Sequence, residues 1–132
     1  EALIFINHPE AAADAVYYRK QLTQLLSKMR YITAQMEAYI TNDLWYENAL
    51  NANNMAKYFA QRLSEIKAVT IAQPVTVNSL FAILPKEIIP VLQEKYHFYL
   101  WNEARNEVRL MCSWNTTKEM IDEFIADCNK AL

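Results

Sequence analysis

Glycine is missing from all 132 residues. At an average usage near 7% a domain of this length carries roughly nine, so the absence excludes every Gly-rich phosphate loop. It also removes the residue that ordinarily lets a backbone close on a cofactor. Cysteine is nearly missing too: Cys112 and Cys128 form no CxxC pair and no dense framework of the secreted kind. Reduced thiols in the core of a cytoplasmic protein are the expectation. Charge of one sign is lacking as well. Thirteen Lys and Arg against fifteen Asp and Glu leave a formal charge of -2, which offers no long-range field for gathering nucleic acid. No basic opening followed by an apolar run occurs, and no apolar run reaches the roughly eighteen residues of a membrane span. No nucleic-acid or membrane partner is expected.

What is present is 53% hydrophobic and 21% charged residues, enough for a compact core but short for a complete enzyme with its own cofactor site. His8 and His97 lie far apart in unlike contexts, so no metal site is expected. Cys112 has no local histidine or helix start to lower its pKa, Ser113 lacks a nucleophile elbow, and the acids form no paired-carboxylate motif. No catalytic residue is assigned.

The most informative stretch is Glu107–Val108–Arg109–Leu110–Met111–Cys112–Ser113–Trp114. Val108, Leu110 and Cys112 alternate with Arg109, Met111 and Ser113, the period of a strand with one face on a core. Arg109 then stands on the other face. It is either a solvated sheet residue with its stem over apolar neighbours or a guanidinium fork held to grip a carboxylate or phosphate. Asn115, Thr116 or Thr117 can cap the helix that follows, Thr116 having capping-box spacing to Glu119. That helix runs to about Leu132.

Earlier in the chain, Ala2–Ile6 reads as a strand that begins at once, which suggests preceding material. From Ala11 to about Asn42 the stripe Ala15, Tyr18, Leu22, Leu25, Met29 and Ile32 has alternating spacings of three and four, the pattern of a helix packed on another helix or a subunit. A break near Gln21–Thr23 would make two helices of it. Arg19, Lys20, Lys28 and Arg30 crowd its other faces, as a solvated basic face or as cations aimed into an anion-binding cleft. A second helix is expected over 44–63, short strands at 69–71 and 75–83, a helix opened by Pro85 and kinked or divided by Pro90, and a strand at 97–101 joined by a turn to the Arg109 strand. The predicted fold is therefore α/β, a mixed or antiparallel sheet covered by helices and preceded by long helices. Residues 1–42 form a terminal strand with a helical linker, and 43–132 a small α/β domain.

Three blocks taken in order, Glu1–Ala2–Leu3–Ile4–Phe5, then Tyr18–Arg19–Lys20–Gln21 with Ser27–Lys28–Met29–Arg30–Tyr31–Ile32–Thr33–Ala34–Gln35, then Glu107 through Thr117, resemble the C-terminal part of the threonine aldolase and beta-eliminating lyase family. These are pyridoxal 5'-phosphate enzymes of the aspartate aminotransferase fold type. The resemblance implies that the chain is the small C-terminal domain plus the helices leading into it. The cofactor-bearing Schiff-base lysine would lie just before the first strand, and the large domain would likewise be absent from this chain. It further implies that Arg109 binds the substrate α-carboxylate and that Arg30, following a methionine as in the family, lies in the cofactor region. Lys28 stands where part of the family has glycine. The implied whole enzyme cleaves the Cα–Cβ bond of L-threonine or L-allo-threonine to glycine and acetaldehyde as a homo-oligomer, a dimer or tetramer, and the isolated chain is expected to be inactive. Beta-elimination from another amino acid, and a noncatalytic folding or oligomerisation domain, are the alternatives.

Overall fold

The computed structural model describes residues 6–132, and the strand expected at Ala2–Ile6 falls almost wholly outside the described residues. The chain divides into two compact units, Glu1–Asn42 and Asp43–Leu132. Among its described residues the first holds the α-helices α1 (Pro9–Ala13), α2 (Ala15–Gln21) and α3 (Met29–Ile40). The continuous helical stripe is thus interrupted, and the expected break near Gln21–Thr23 is real. α2 ends at Leu22, and Thr23 takes φ 56°, a left-handed conformation unusual for a β-branched residue. Pro9 opens α1, where its missing N–H costs nothing.

The second unit begins with α4 (Leu44–Ser64) and continues through β1 (Thr70–Ile71), β2 (Ser79–Ile83), α5 (Ile88–Gln93), β3 (Tyr99–Asn102), β4 (Glu107–Met111) and α6 (Lys118–Ala131). Its four strands form one sheet in the order β1-β2-β4-β3, and every neighbouring pair is antiparallel. Of the two sheet types expected, the antiparallel one is realised. The even-numbered residues Leu80, Ala82, Val108 and Leu110 are buried, and they define the inner face. Against it α4 buries Ala52, Ala56, Phe59, Ala60 and Leu63, at helical spacings of three and four. Its three alanines carry no bulk, so the helix can approach its neighbours closely. α6 buries Ile121, Phe124, Ile125 and Cys128, and α5 buries Ile88, Ile89 and Leu92. Phe124 is the hub: its ring lies 5.0 Å from Phe59, 4.8 Å from Tyr96 and 6.2 Å from Phe98, in tilted or edge-on geometry.

Several local expectations are corrected. The strand expected over 75–83 is only Ser79–Ile83, the span that pairs with β4, whose last residue Met111 faces Ser79. Pro90 neither kinks nor divides a helix. It is the third residue of α5, within the first turn, where an N–H has no acceptor in any case. The strand expected from His97 starts at Tyr99, since Phe98 turns into the core and its carbonyl accepts from Gln93 Nε2 at 3.1 Å. The cap of α6 is Thr117, whose Oγ1 accepts from Met120 N at 3.4 Å. Thr116 is spent elsewhere, its hydroxyl accepting from Ser113 N at 2.8 Å. The hairpin between β3 and β4 forms as expected, through a 3-10 turn at Glu103–Arg105 closed by Asn106 at φ 53°. With no glycine to spend, the described chain fills its left-handed positions with Thr23, Asn42, Asp43 and Asn106. Three of these are Asn or Asp, the types whose short polar side chains best tolerate that region.

Two polar clasps hold α6 in place. Tyr58 Oη donates to Asp122 at 2.9 Å and Arg62 Nε donates to the same carboxylate at 2.9 Å, joining α4 to α6. Asp127 accepts from Lys95 Nζ at 2.6 Å, Tyr96 Oη at 2.8 Å and Lys130 Nζ at 2.9 Å, joining α6 to the segment after α5. These donors hold the Asp122 and Asp127 carboxyls below the usual carboxylate range, Tyr58 being the largest influence on the first and Lys95 on the second. Because both protons bind less tightly in the folded state, the contribution is complete above the ordinary carboxyl pKa near 4 and is lost as pH falls through the folded values. The urea midpoint is therefore expected to fall as pH drops from 6 to 3, and to fall less steeply in Asp122→Ala and Asp127→Ala. Identical slopes in all three proteins would exclude the clasps as the source.

Candidate functional site: an arginine on the open face of the sheet

The odd-numbered residues of the strands point away from the helices. Arg109 sits in the middle of this outer face, opposite Phe81 of β2 on one side and Tyr99 of β3 on the other. Tyr99 and Trp101 are exposed and Met111 is more than half exposed, so among the described residues of this unit no element covers the face. Arg109 itself is half-buried. Its Nε is shielded from solvent and has no hydrogen-bond partner, a deficit that costs about 1–3 kcal/mol in general.

The acidic residue two positions back on the same strand is paired elsewhere. Glu107 is 7% exposed and pairs with Arg105, Nη1 to Oε2 at 3.3 Å. Arg109 forms no ion pair among the described residues. The guanidinium rests instead on an aromatic ring, Cζ lying 5.7 Å from the centre of Trp101. An arginine fork with no internal anion, desolvated at Nε and set among aromatic rings on an open face, is suited to a planar anion from outside, a carboxylate above all.

The other functional candidates are less equipped. His97 is exposed and stacks edge-on against Tyr99 at 5.6 Å, while His8 is the residue before α1. Cys112 and Cys128 are buried, and burial pushes the Cys112 thiol up to about 11, which leaves little thiolate at neutral pH. Cys112 also lines a cleft of about 310 Å³ between α6 and the β3–β4 edge, whose walls are mostly core side chains such as Phe59, Phe98, Leu110 and Phe124. Among the described residues no group of three or more His, Cys, Asp or Glu is arranged to hold a metal ion, and no helix is long and apolar enough to cross a membrane.

In the first unit, Arg30 is the second residue of α3, exposed, with its guanidinium 5.9 Å from the Tyr31 ring centre. The first turn of α3 contains no acidic residue, no side chain caps it, and Lys28 occupies the N-cap. Free backbone N–H groups beside two cations fit a phosphate-bearing group such as pyridoxal phosphate. Arg30 and Arg109 belong to different units, each with its own framework.

The alternation along β4 singles out Arg109, whereas Trp101 is only the last residue of the strand expected at 97–101. The signal for Trp101 was in the hairpin. Extending the pairing back from the turn at Glu103–Asn106 puts 101 opposite 107 and diagonal to 109, within reach of a large ring.

No protein-family model matches the chain. Two curated proteins do. The low specificity L-threonine aldolase of Pseudomonas aeruginosa is 33% identical over 128 residues, covering 96% of this chain and 36% of that protein. The low specificity L-threonine aldolase of Pseudomonas sp. strain NCIMB 10558 is 31% identical over 128 residues, with the same shares. The chain thus spans just over a third of the length of the curated relatives it matches. Over nearly its whole length the chain is similar to these two low specificity L-threonine aldolases.

Proposed function

We propose that these residues are the rear portion of a lyase that cleaves the Cα–Cβ bond of L-threonine or L-allo-threonine to glycine and acetaldehyde. The observation that carries this reading is Arg109, a cation with no ion-pair partner among the described residues on the open face of the sheet, in a chain that matches threonine aldolases. In this reading Arg109 receives the α-carboxylate of the amino acid through its two Nη groups. Fixing that end of the substrate sets which bond at Cα is held ready to break, a positioning role with no proton transfer. Arg30, at the start of α3, would lie in the cofactor region. Pyridoxal phosphate, when bound, supplies the electron sink for the carbanion left at Cα. A base outside these residues takes the β-hydroxyl proton.

The rest of the reading follows from that placement. Residues 1–42 link to a large domain that carries the cofactor lysine, and 43–132 form the small domain. The enzyme is a cytoplasmic homo-oligomer, a dimer or tetramer. The apolar side chains left open in the first unit support this: Val16 is 71% exposed, Leu22 66% and Ile40 57%. The 132-residue chain with added pyridoxal phosphate is expected to release no acetaldehyde from threonine in a spectrophotometric assay, whereas the enzyme containing it does. Turnover by the chain alone refutes the division of labour, and failure of the whole enzyme to release acetaldehyde refutes the aldolase activity.

A further inference from the structure

We propose that Trp101 is the positioning residue for Arg109, a role that rests on the carboxylate-binding reading above. The pairing of β3 with β4 runs Tyr99 to Arg109 and Leu100 to Val108, then skips, so that Asn102 faces Glu107. Trp101 is the extra residue in the ladder. An unslipped register would set it directly opposite Glu107, and the bulge frees it from that position. Bulges of this kind bend a strand and re-aim one side chain. Here the indole leans across β4: its centre lies 5.7 Å from the Arg109 guanidinium carbon and 5.4 Å from the ring of Phe81, on the strand beyond, at an interplanar angle of 69°.

Arg109 is thereby partly enclosed: Phe81 and Tyr99 stand opposite it on the two neighbouring strands, and its guanidinium carbon lies over the Trp101 ring. This enclosure accounts for the shielded Nε without an acceptor. It also selects among the ways a guanidinium can hold a carboxylate. The side-on mode uses Nε and one Nη, and Nε is closed off, so the end-on mode through both Nη groups remains. An indole face is the strongest of the aromatic partners for a cation, and it fixes the plane of the fork without consuming a hydrogen-bond donor. Glu107 could have oriented the fork too, but it would have neutralised it; its commitment to Arg105 keeps the two functions apart.

The test uses Trp101→Ala, Trp101→Phe, Arg109→Ala and the Trp101→Ala/Arg109→Ala double variant of the cofactor-loaded enzyme, assayed with threonine. Trp101→Ala is expected to raise KM by about 5- to 20-fold with kcat changed less than about 3-fold, the range of a desolvated cation–π contact. Trp101→Phe should recover most of the loss. In the double variant the two losses should not multiply, since without the guanidinium the indole has nothing to orient. Independently of turnover, the Arg109 Nε–H in the 132-residue chain should exchange slowly with solvent, and at least about 10-fold faster in Trp101→Ala, because shielding sets the rate. An unchanged KM in Trp101→Ala, multiplying losses in the double variant, or unchanged exchange would overturn the role of Trp101 while leaving that of Arg109 standing. An unchanged KM in Arg109→Ala would instead remove the carboxylate-binding role and the positioning role with it.

Discussion

Arg109→Ala in the cofactor-loaded enzyme is expected to lower kcat/KM for threonine by roughly 30- to 700-fold, the equivalent of about 2–4 kcal/mol for a charge-assisted, bidentate contact. Most of the loss should appear in KM, because the contact is made to a carboxylate that carries the same charge before and during bond cleavage. Arg109→Lys should recover only part of it, since an ammonium is a single point charge on a flexible stem and cannot present two parallel donors. The fold should be indifferent to both changes. Arg109 forms no ion pair among the described residues, and its removal relieves a buried donor without an acceptor. Unfolding midpoints at or slightly above the parent's are therefore expected, the lost contact with Trp101 being offset by removal of the unsatisfied donor. Unchanged kinetic constants would eliminate the assignment, and a large drop in stability would make Arg109 a structural residue instead.

The largest stability effect is expected on the opposite side of the sheet, at Phe124. The residue is 4% exposed and touches three rings drawn from α4 and from the segment between α5 and β3. Phe124→Ala removes the transfer free energy of the ring and leaves a cavity that Phe59, Tyr96 and Phe98 close only in part. A cost of about 3–5 kcal/mol follows. Phe124→Leu, which keeps an apolar side chain in the space, should cost distinctly less. Urea unfolding of the chain, followed by far-UV circular dichroism, distinguishes these values. Equal midpoints for the alanine variant and the parent would mean that the ring cluster does not hold α6 to the sheet.

The comparison of the two sites explains what sequence alone could and could not disclose. The alternation through Val108, Leu110 and Cys112 and the helical spacing of α4 and α6 are local, repeated and unambiguous, and they placed Arg109 on the outer face correctly. Boundaries were harder where they depend on a partner. β2 begins at Ser79 where its partner β4 ends at Met111, and β3 starts at Tyr99 because Phe98 is drawn into the core. Punctuation was hardest of all in a chain without glycine. The left turn after α2 is made by Thr23, a residue type that signals strand or cap more readily than reversal. The choice of Thr117 over Thr116 as cap rests on the 2.8 Å bond between Ser113 N and the Thr116 hydroxyl, a detail of one loop that no spacing rule contains. The hairpin places Trp101 diagonal to Arg109, whereas the bulge that shifts it out of register exists only in the pairing of two strands.

The one-sided burial of the sheet has an evolutionary consequence. Along β4, Val108 and Leu110 answer to the packing of the helices, whereas Arg109 and Met111 answer to whatever approaches from outside. Neighbours on one strand are thus subject to separate selection. A lineage can exchange the outward-facing residues without first accumulating reserve stability to survive the exchange.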